Sequence, residues 1–227
     1  MDKRKESRGR KGTSGPARRR EAVENADGAY HHGNLRLALV EGGLSFLARK
    51  GPAGFSLRAL AQELGVSHAA PYRHFASRDE LLLAIVAESR GRLAEALKRS
   101  VAGPELAGAR AMEKIYILGE TFVGFYVENP EVHYLFNILP GQLASQGEKL
   151  RELVFPEPSG RQDPTFLLLR STVAELREDF AGLSDRDILL GCWAKVHGLA
   201  SILVAQPDYF APEDIAVGIK RVIRRPF

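Results

Sequence analysis

Two histidines, a serine, a tyrosine and an arginine crowd into the stretch Gly65–Phe75, GVSHAAPYRHF. Imidazoles can ligate metals or move protons, whereas hydroxyls and guanidinium groups donate hydrogen bonds to anionic oxygens. His68 and His74 stand six apart, which on a helix puts them on different faces and does not suit joint ligation of one metal. The neighbouring pair His31 and His32 fits local capping or hydrogen bonding better than zinc. The chain carries no glycine-rich phosphate loop, no G-x-S-x-G elbow, no H-E-x-x-H and no paired carboxylates beyond those of solvated faces. Its single cysteine, Cys192, falls in a helical stripe with no sign of activation. No catalytic residue, no metal and no cofactor is therefore expected, and the stretch reads as a surface built to touch something.

The elements that must hold this surface are helical throughout. At 227 residues, 44% apolar and 26% charged, the chain has the composition of a folded globular protein long enough to bury a substantial core. With one cysteine there is no internal disulfide, which suits a reducing cytoplasm, and the polar, basic N-terminus does not resemble a signal peptide. The run from Ile188 to Ala205 is membrane-like in hydropathy, but Lys195 and His197 interrupt it, so the expectation is a buried helix of a soluble protein. The formal charge of +4 hides an uneven distribution: Lys3-Arg4-Lys5 and Arg18-Arg19-Arg20 lie among Gly, Ser and Pro. Such a segment cannot bury enough to order itself, so residues 1–30 are expected to be a disordered basic arm. It is either a solubilising tail or an arm that touches DNA.

Asn34 is a candidate cap for a first helix with Leu37, Val40, Leu44 and Leu47 on one face, stopped by Gly51-Pro52. Ser56 caps a short second helix with Leu57, Leu60, Ala61 and Leu64 inward, and Gly65 ends it. Ser67 caps a third, running to about Phe75, with Val66, Tyr72 and Phe75 lending apolar surface to the shared core. Pro71 would delay its start. Ser77 and Glu80 have the form of a capping box for a long fourth helix.

Further stripes are Ile115, Leu118, Phe122, Phe125, then Phe166, Leu169, Val173, Leu176, Phe180. Gly141–Gln162 between them reads as a loop. Ser184 opens a helix through Leu189, Cys192, Trp193, Val196, Leu199, Ala200 and Leu203, and Ile215, Ile219, Val222 and Ile223 mark the last. The fold class is all-α, with an N-terminal three-helix helix-turn-helix domain, a larger C-terminal helical bundle and about nine helices in all.

A short helix ended by glycine, a turn, and a second short helix with a polar outer face have the form of a helix-turn-helix, whose second helix enters the DNA major groove. Ser67, Tyr72 and His74 can donate to phosphate oxygens, Arg58, Arg73 and Arg78 supply positive charge, and small Ala69 and Ala70 allow close approach. "FSLRALAQELGVSHAAPYRHFASRDELL" resembles the DNA-binding region of the TetR family of bacterial transcriptional regulators. "YHHGNL" and "WAKVHG" resemble a subgroup with a Trp-x-x-x-His-Gly signature in its C-terminal domain. By that resemblance Ser67, His68, Ala69, Tyr72, Arg73, His74 and Arg78 match the family's DNA-facing positions, with Ser56 and Arg58 as phosphate contacts. Pro71 departs from the family's usual leucine.

The resemblance implies residues 31–78 as the helix-turn-helix DNA-binding domain and 79–227 as a ligand-binding and dimerisation domain. It further implies a homodimer through the last two helices, where Gly191, Gly198 and Ala200 would permit close approach, and a small-molecule effector. Tyr116, Phe122, Phe125, Tyr126, His133, Phe166, Trp193 and His197 are candidate lining for its pocket, which points to an uncharged, largely apolar effector. The function expected is that of a ligand-responsive regulator, most often a repressor in this family, on a palindromic DNA operator, cytoplasmic and with no membrane partner. The alternative is a helical small-molecule-binding protein or enzyme whose activity lies in the C-terminal half.

Overall fold

The computed structural model describes residues 35–106, 108–138, 164–176, 180 and 182–225. Among these there is no strand; they form eight α-helices packed as one compact unit. In chain order the helices are α1 Leu35–Lys50, α2 Leu57–Glu63, α3 Arg78–Val101, α4 Ala111–Glu128, α5 Pro130–His133, α6 Pro164–Ala174, α7 Asp185–Ala205 and α8 Ile215–Ile223. The basic arm, the histidine pair, Asn34 and the loop Gly141–Gln162 lie outside the described residues.

Local signals set most boundaries. Gly51 takes φ +67, a left-handed conformation that glycine adopts without strain, and its N–H closes on the Leu47 carbonyl at 2.9 Å to end α1. Ser56 accepts the Ala59 N–H at 3.1 Å and opens α2. At the start of α3 the box is only half reciprocal: Ser77 accepts from the Glu80 N–H at 3.1 Å, but the Glu80 carboxylate takes the Ala76 N–H at 2.6 Å. Ser184 and Asp187 complete both halves at α7.

The first helix turns its core face slightly away from the expected stripe. Leu39, Val40, Gly43, Leu44, Phe46 and Leu47 are buried, and Leu37 is exposed. Gly43 lies tight against α3, since a Cβ there would sit 2.6 Å from the Ile85 side chain. Arg49 and Lys50 at the end of α1 both pair with Glu63 of α2, the lysine at 2.7 Å, and hold its carboxyl below the usual range. Arg92 of α3 pairs with Glu41 of α1 as well as with Glu88 at 3.0 Å.

α4 is the central rod. It packs on α3, α6, α7 and α8, with Leu118, Phe122, Val123 and Tyr126 buried. Its end is pinned twice, because both the backbone N–H and the side-chain amide of Asn129 donate to the Phe125 carbonyl. α5 runs directly into a π-helical segment, Tyr134–Ile138, and α5 packs on α1 and α7. α6 ends at Ala174, earlier than the stripe through Phe180 implied.

α7 corrects another expectation. It is long and apolar enough to cross a membrane by length and composition, yet it is not a buried helix: only 17% of its most apolar window lies inside. Ile188, Ala200 and Leu203 are buried, whereas Gly191, Ala194, Gly198, Ile202 and Ala205 recur every three or four residues along an exposed face, with exposed Leu190 beside them. Gly191 and Gly198 face open space, but Ala200 packs inward and cannot serve the close approach expected of it.

Candidate functional site

The candidate reading surface begins where α2 stops. Gly65 adopts φ +67, and the N–H groups of Gly65 and Val66 return to the carbonyls of Gln62 and Ala61, which reverses the chain in a few residues. A turn follows, with the Ala70 N–H donating to the Ser67 carbonyl at 2.9 Å. Only Pro71–Arg73 is then helical, as a 3-10 turn. The third helix is thus much shorter than expected from a Ser67 cap. Proline has no N–H to continue a helical ladder begun upstream but suits the first helical position, so regular structure starts at Pro71 itself.

This turn separates holding from presenting. Pro71 and Phe75 are buried, Phe75 to 1% exposure, and the Arg36 guanidinium lies 4.7 Å above the Phe75 ring. Ser67, His68, Ala69, Tyr72 and Arg73 are exposed, together with Arg58 on α2. Tyr72, at 57% exposure, adds no surface to the core, contrary to expectation. His74 and Arg78 are half-buried. Arg78 donates from Nε to the Phe55 carbonyl at 3.0 Å, so one nitrogen of its guanidinium is committed to holding the turn after α1. Ser56 spends its oxygen as acceptor in capping α2 and keeps its hydroxyl proton for a donor role.

A second feature lies in the larger half. A cavity of about 430 Å³ opens between α4, α6, α7 and α8, within the roughly 300–1,000 Å³ usual for small-molecule sites. Tyr116, Phe122 and Trp193 line it. Tyr126 and His197 instead border a small adjoining cavity of about 30 Å³, which also touches Phe122 and Trp193. Phe125, His133 and Phe166 line neither. Phe125 packs on the core and edge-on to Tyr126, and the His133 Nε2 sits 3.0 Å from the Ser201 hydroxyl, tying α5 to α7. Sequence reasoning missed the aliphatic lining, including Leu97, Ile115, Leu169 and Val196, because periodicity marks a residue as inward without showing that the helices facing it leave a gap. Cys192 borders the large cavity, and burial pushes its thiol up, away from nucleophilic duty.

His197 stacks on Trp193 with ring centroids 4.8 Å apart. Burial, and then the nearby His133, lower its pKa from an ordinary 6.5 to about 4. Its ring is therefore neutral at pH 7. Because the unfolded chain takes up a proton below about pH 6.5 and the folded one only near pH 4, folding stability should fall as pH drops through this window. The expected loss is about 2 kcal/mol by pH 5. Urea midpoints at pH 7.5 and 5 should show this drop in the native chain and much less of it in His197→Phe, with His133, also lowered by burial, supplying a remainder of the same sign.

Residues 39–85 match the family model described as bacterial regulatory proteins, tetR family. That segment carries the tetR-family signature. The chain is 27% identical over 198 residues to an HTH-type transcriptional regulator of Mycobacterium tuberculosis, covering 75% of this chain and 80% of the relative. A structure of a protein of unknown function from Rhodococcus sp. RHA1 superposes with TM-score 0.66 at 29% identity, covering 87% and 97% of the two chains. The transcriptional regulator FadR from Bacillus subtilis, in complex with stearoyl-CoA, superposes with TM-score 0.66 at 12% identity over 85% and 99%, a likeness of fold. The N-terminal segment thus resembles tetR-family regulators, and over the helical C-terminal half the likeness to the solved structures is one of fold. The Trp-x-x-x-His-Gly subgroup stays an expectation.

Proposed function

We propose that this chain is a ligand-responsive, sequence-specific DNA-binding regulator that represses from a palindromic operator as a homodimer and is released by a small, largely apolar effector. The observation that carries it is the row Ser67, His68, Tyr72 and Arg73, exposed on a turn whose other side, Pro71 and Phe75, is locked into the core. Residues 31–78 form the reading head, residues 79–227 the effector and dimer half, and residues 1–30 a basic arm that adds phosphate attraction. The exposed apolar stripe of α7 and the outer residues Ala216 and Val217 of α8 suit a bundle made with a second copy. The aromatic and aliphatic cavity suits the effector, and the stearoyl-CoA complex of the FadR relative lends support to a small-molecule ligand. No catalytic role is assigned, and the setting is the cytoplasm.

Ser56, Arg58, Ser67, Tyr72, His74 and Arg78 fall to the phosphates, and His68, Ala69 and Arg73 to base edges. The test is a filter-binding titration of duplex from the upstream region of the chain's own gene at several salt concentrations. Arg73→Ala and His68→Ala should each cost about 1–3 kcal/mol on the preferred sequence and flatten discrimination there, whereas Tyr72→Phe should weaken all sequences alike. Binding that ignores both salt and sequence would overturn the reading.

A further inference from the structure

Among the described residues, the Nε2 of His197 is the one buried side-chain nitrogen or oxygen for which no hydrogen-bond partner is present. Aromatic rings surround its imidazole: Trp193 stacks on it, Phe122 lies 4.9 Å away, and Tyr126 approaches edge-on at 6.1 Å. A buried polar atom without a partner is costly, so a polar group at this position, a water or the polar end of a ligand, would stabilise the imidazole. The small cavity beside it, about 30 Å³, has room for one water-sized group. Phe122, Thr165 and Trp193 border both this cavity and the large apolar one, so the two adjoin.

We propose that the effector is an uncharged, largely apolar alcohol, its body in the large cavity and its hydroxyl in the small one against the Nε2 of His197. This rests on the cavity being the effector site. Two physical points select a hydroxyl. The imidazole offers either an N–H or a lone pair at Nε2 according to tautomer, and a hydroxyl, being donor and acceptor at once, meets both. Burial keeps the ring uncharged at pH 7, so His197 itself offers a carboxylate no counter-charge; the cations lining the large cavity are Arg225 and Lys195, whose ammonium donates to the Ile223 and Arg225 carbonyls. Arg90 also borders the small cavity, and a carboxylate probe measures its pull directly.

Trp193 is the only tryptophan of the chain and touches both cavities, so its fluorescence reports binding without a label. The probes are 1-decanol, its methyl ether, whose added methyl group the water-sized cavity does not admit, so that it cannot reach Nε2 in either tautomer, and decanoate. On the native chain decanol should bind about tenfold more tightly than either, the share of affinity that one well-placed hydrogen bond contributes. His197→Phe should bring alcohol and ether level, and His197→Gln, which restores a hydrogen-bonding side chain, should return part of the preference. Thermal melts confirm that both variants are folded. Decanoate binding most tightly, or an alcohol preference that survives His197→Phe, overturns the inference, as does equal binding of all three, which leaves the effector site standing. Should none of the probes change the Trp193 signal or bind by calorimetry, the effector reading of the cavity falls with it.

Discussion

Ile202→Asp is expected to leave a folded protein that no longer pairs with a second copy and that binds a two-half-site operator at least about 100-fold more weakly. Ile202 is 49% exposed on the same face of α7 as Gly191, Ala194 and Gly198, so a carboxylate there costs the single chain little. In a bundle made with a partner helix the same carboxylate would be buried without a counter-charge, which is far more costly than losing a methyl contact. One reading head touches only a few base pairs, and joining two turns the second contact into an intramolecular event with a gain of about 10²–10⁴. Sedimentation equilibrium and operator titration read the two halves of the expectation separately. A variant that stays dimeric places the interface elsewhere; a monomer with undiminished operator affinity removes the need for pairing.

Phe75→Ala should be the most damaging change within the reading head. The ring is 1% exposed, lies under the Arg36 guanidinium and anchors the single turn Pro71–Arg73 to α1. Removing a fully buried phenylalanine costs about 3–5 kcal/mol, equivalent to roughly 10 °C or more in melting temperature for a chain of this length. DNA binding should fall further than partial unfolding alone explains, because the turn has no long helical ladder of its own to keep its shape. Melting curves and DNA titrations at a temperature where the variant is still folded distinguish the two effects. Phe75→Leu, which keeps most of the apolar volume, should recover most of the stability.

The parts of the fold legible in the sequence were those decided over a few residues. Ser56, Ser77 and Ser184 each cap the helix that follows them, and Gly51 and Gly65 each end the one before, since cap and left-handed turn are local chemistry. The reading turn was legible in place but not in form. Ser67 looks like a cap, yet Pro71 dictates where the ladder can begin, and Ser67 is left presenting its side chain to solvent. Leu37 was misplaced, and Ala200 was given a close-approach role besides its inward one, because a broad apolar stripe does not say which of its edges meets the neighbour. The cavity was legible only through its aromatic members: Phe122 and Trp193 belong to it, whereas His133 turned out to be tied to Ser201. Helix packing, a property of chains of residues far apart in order, decides where empty space remains.

The division of labour within the reading turn also bears on how such a protein can diversify. Pro71 and Phe75 hold the backbone from beneath, so Ser67, His68, Tyr72 and Arg73 can be exchanged with little penalty to the scaffold. Under the proposed function, duplicated copies of this chain would drift toward new operators one outward residue at a time, each step remaining a viable protein.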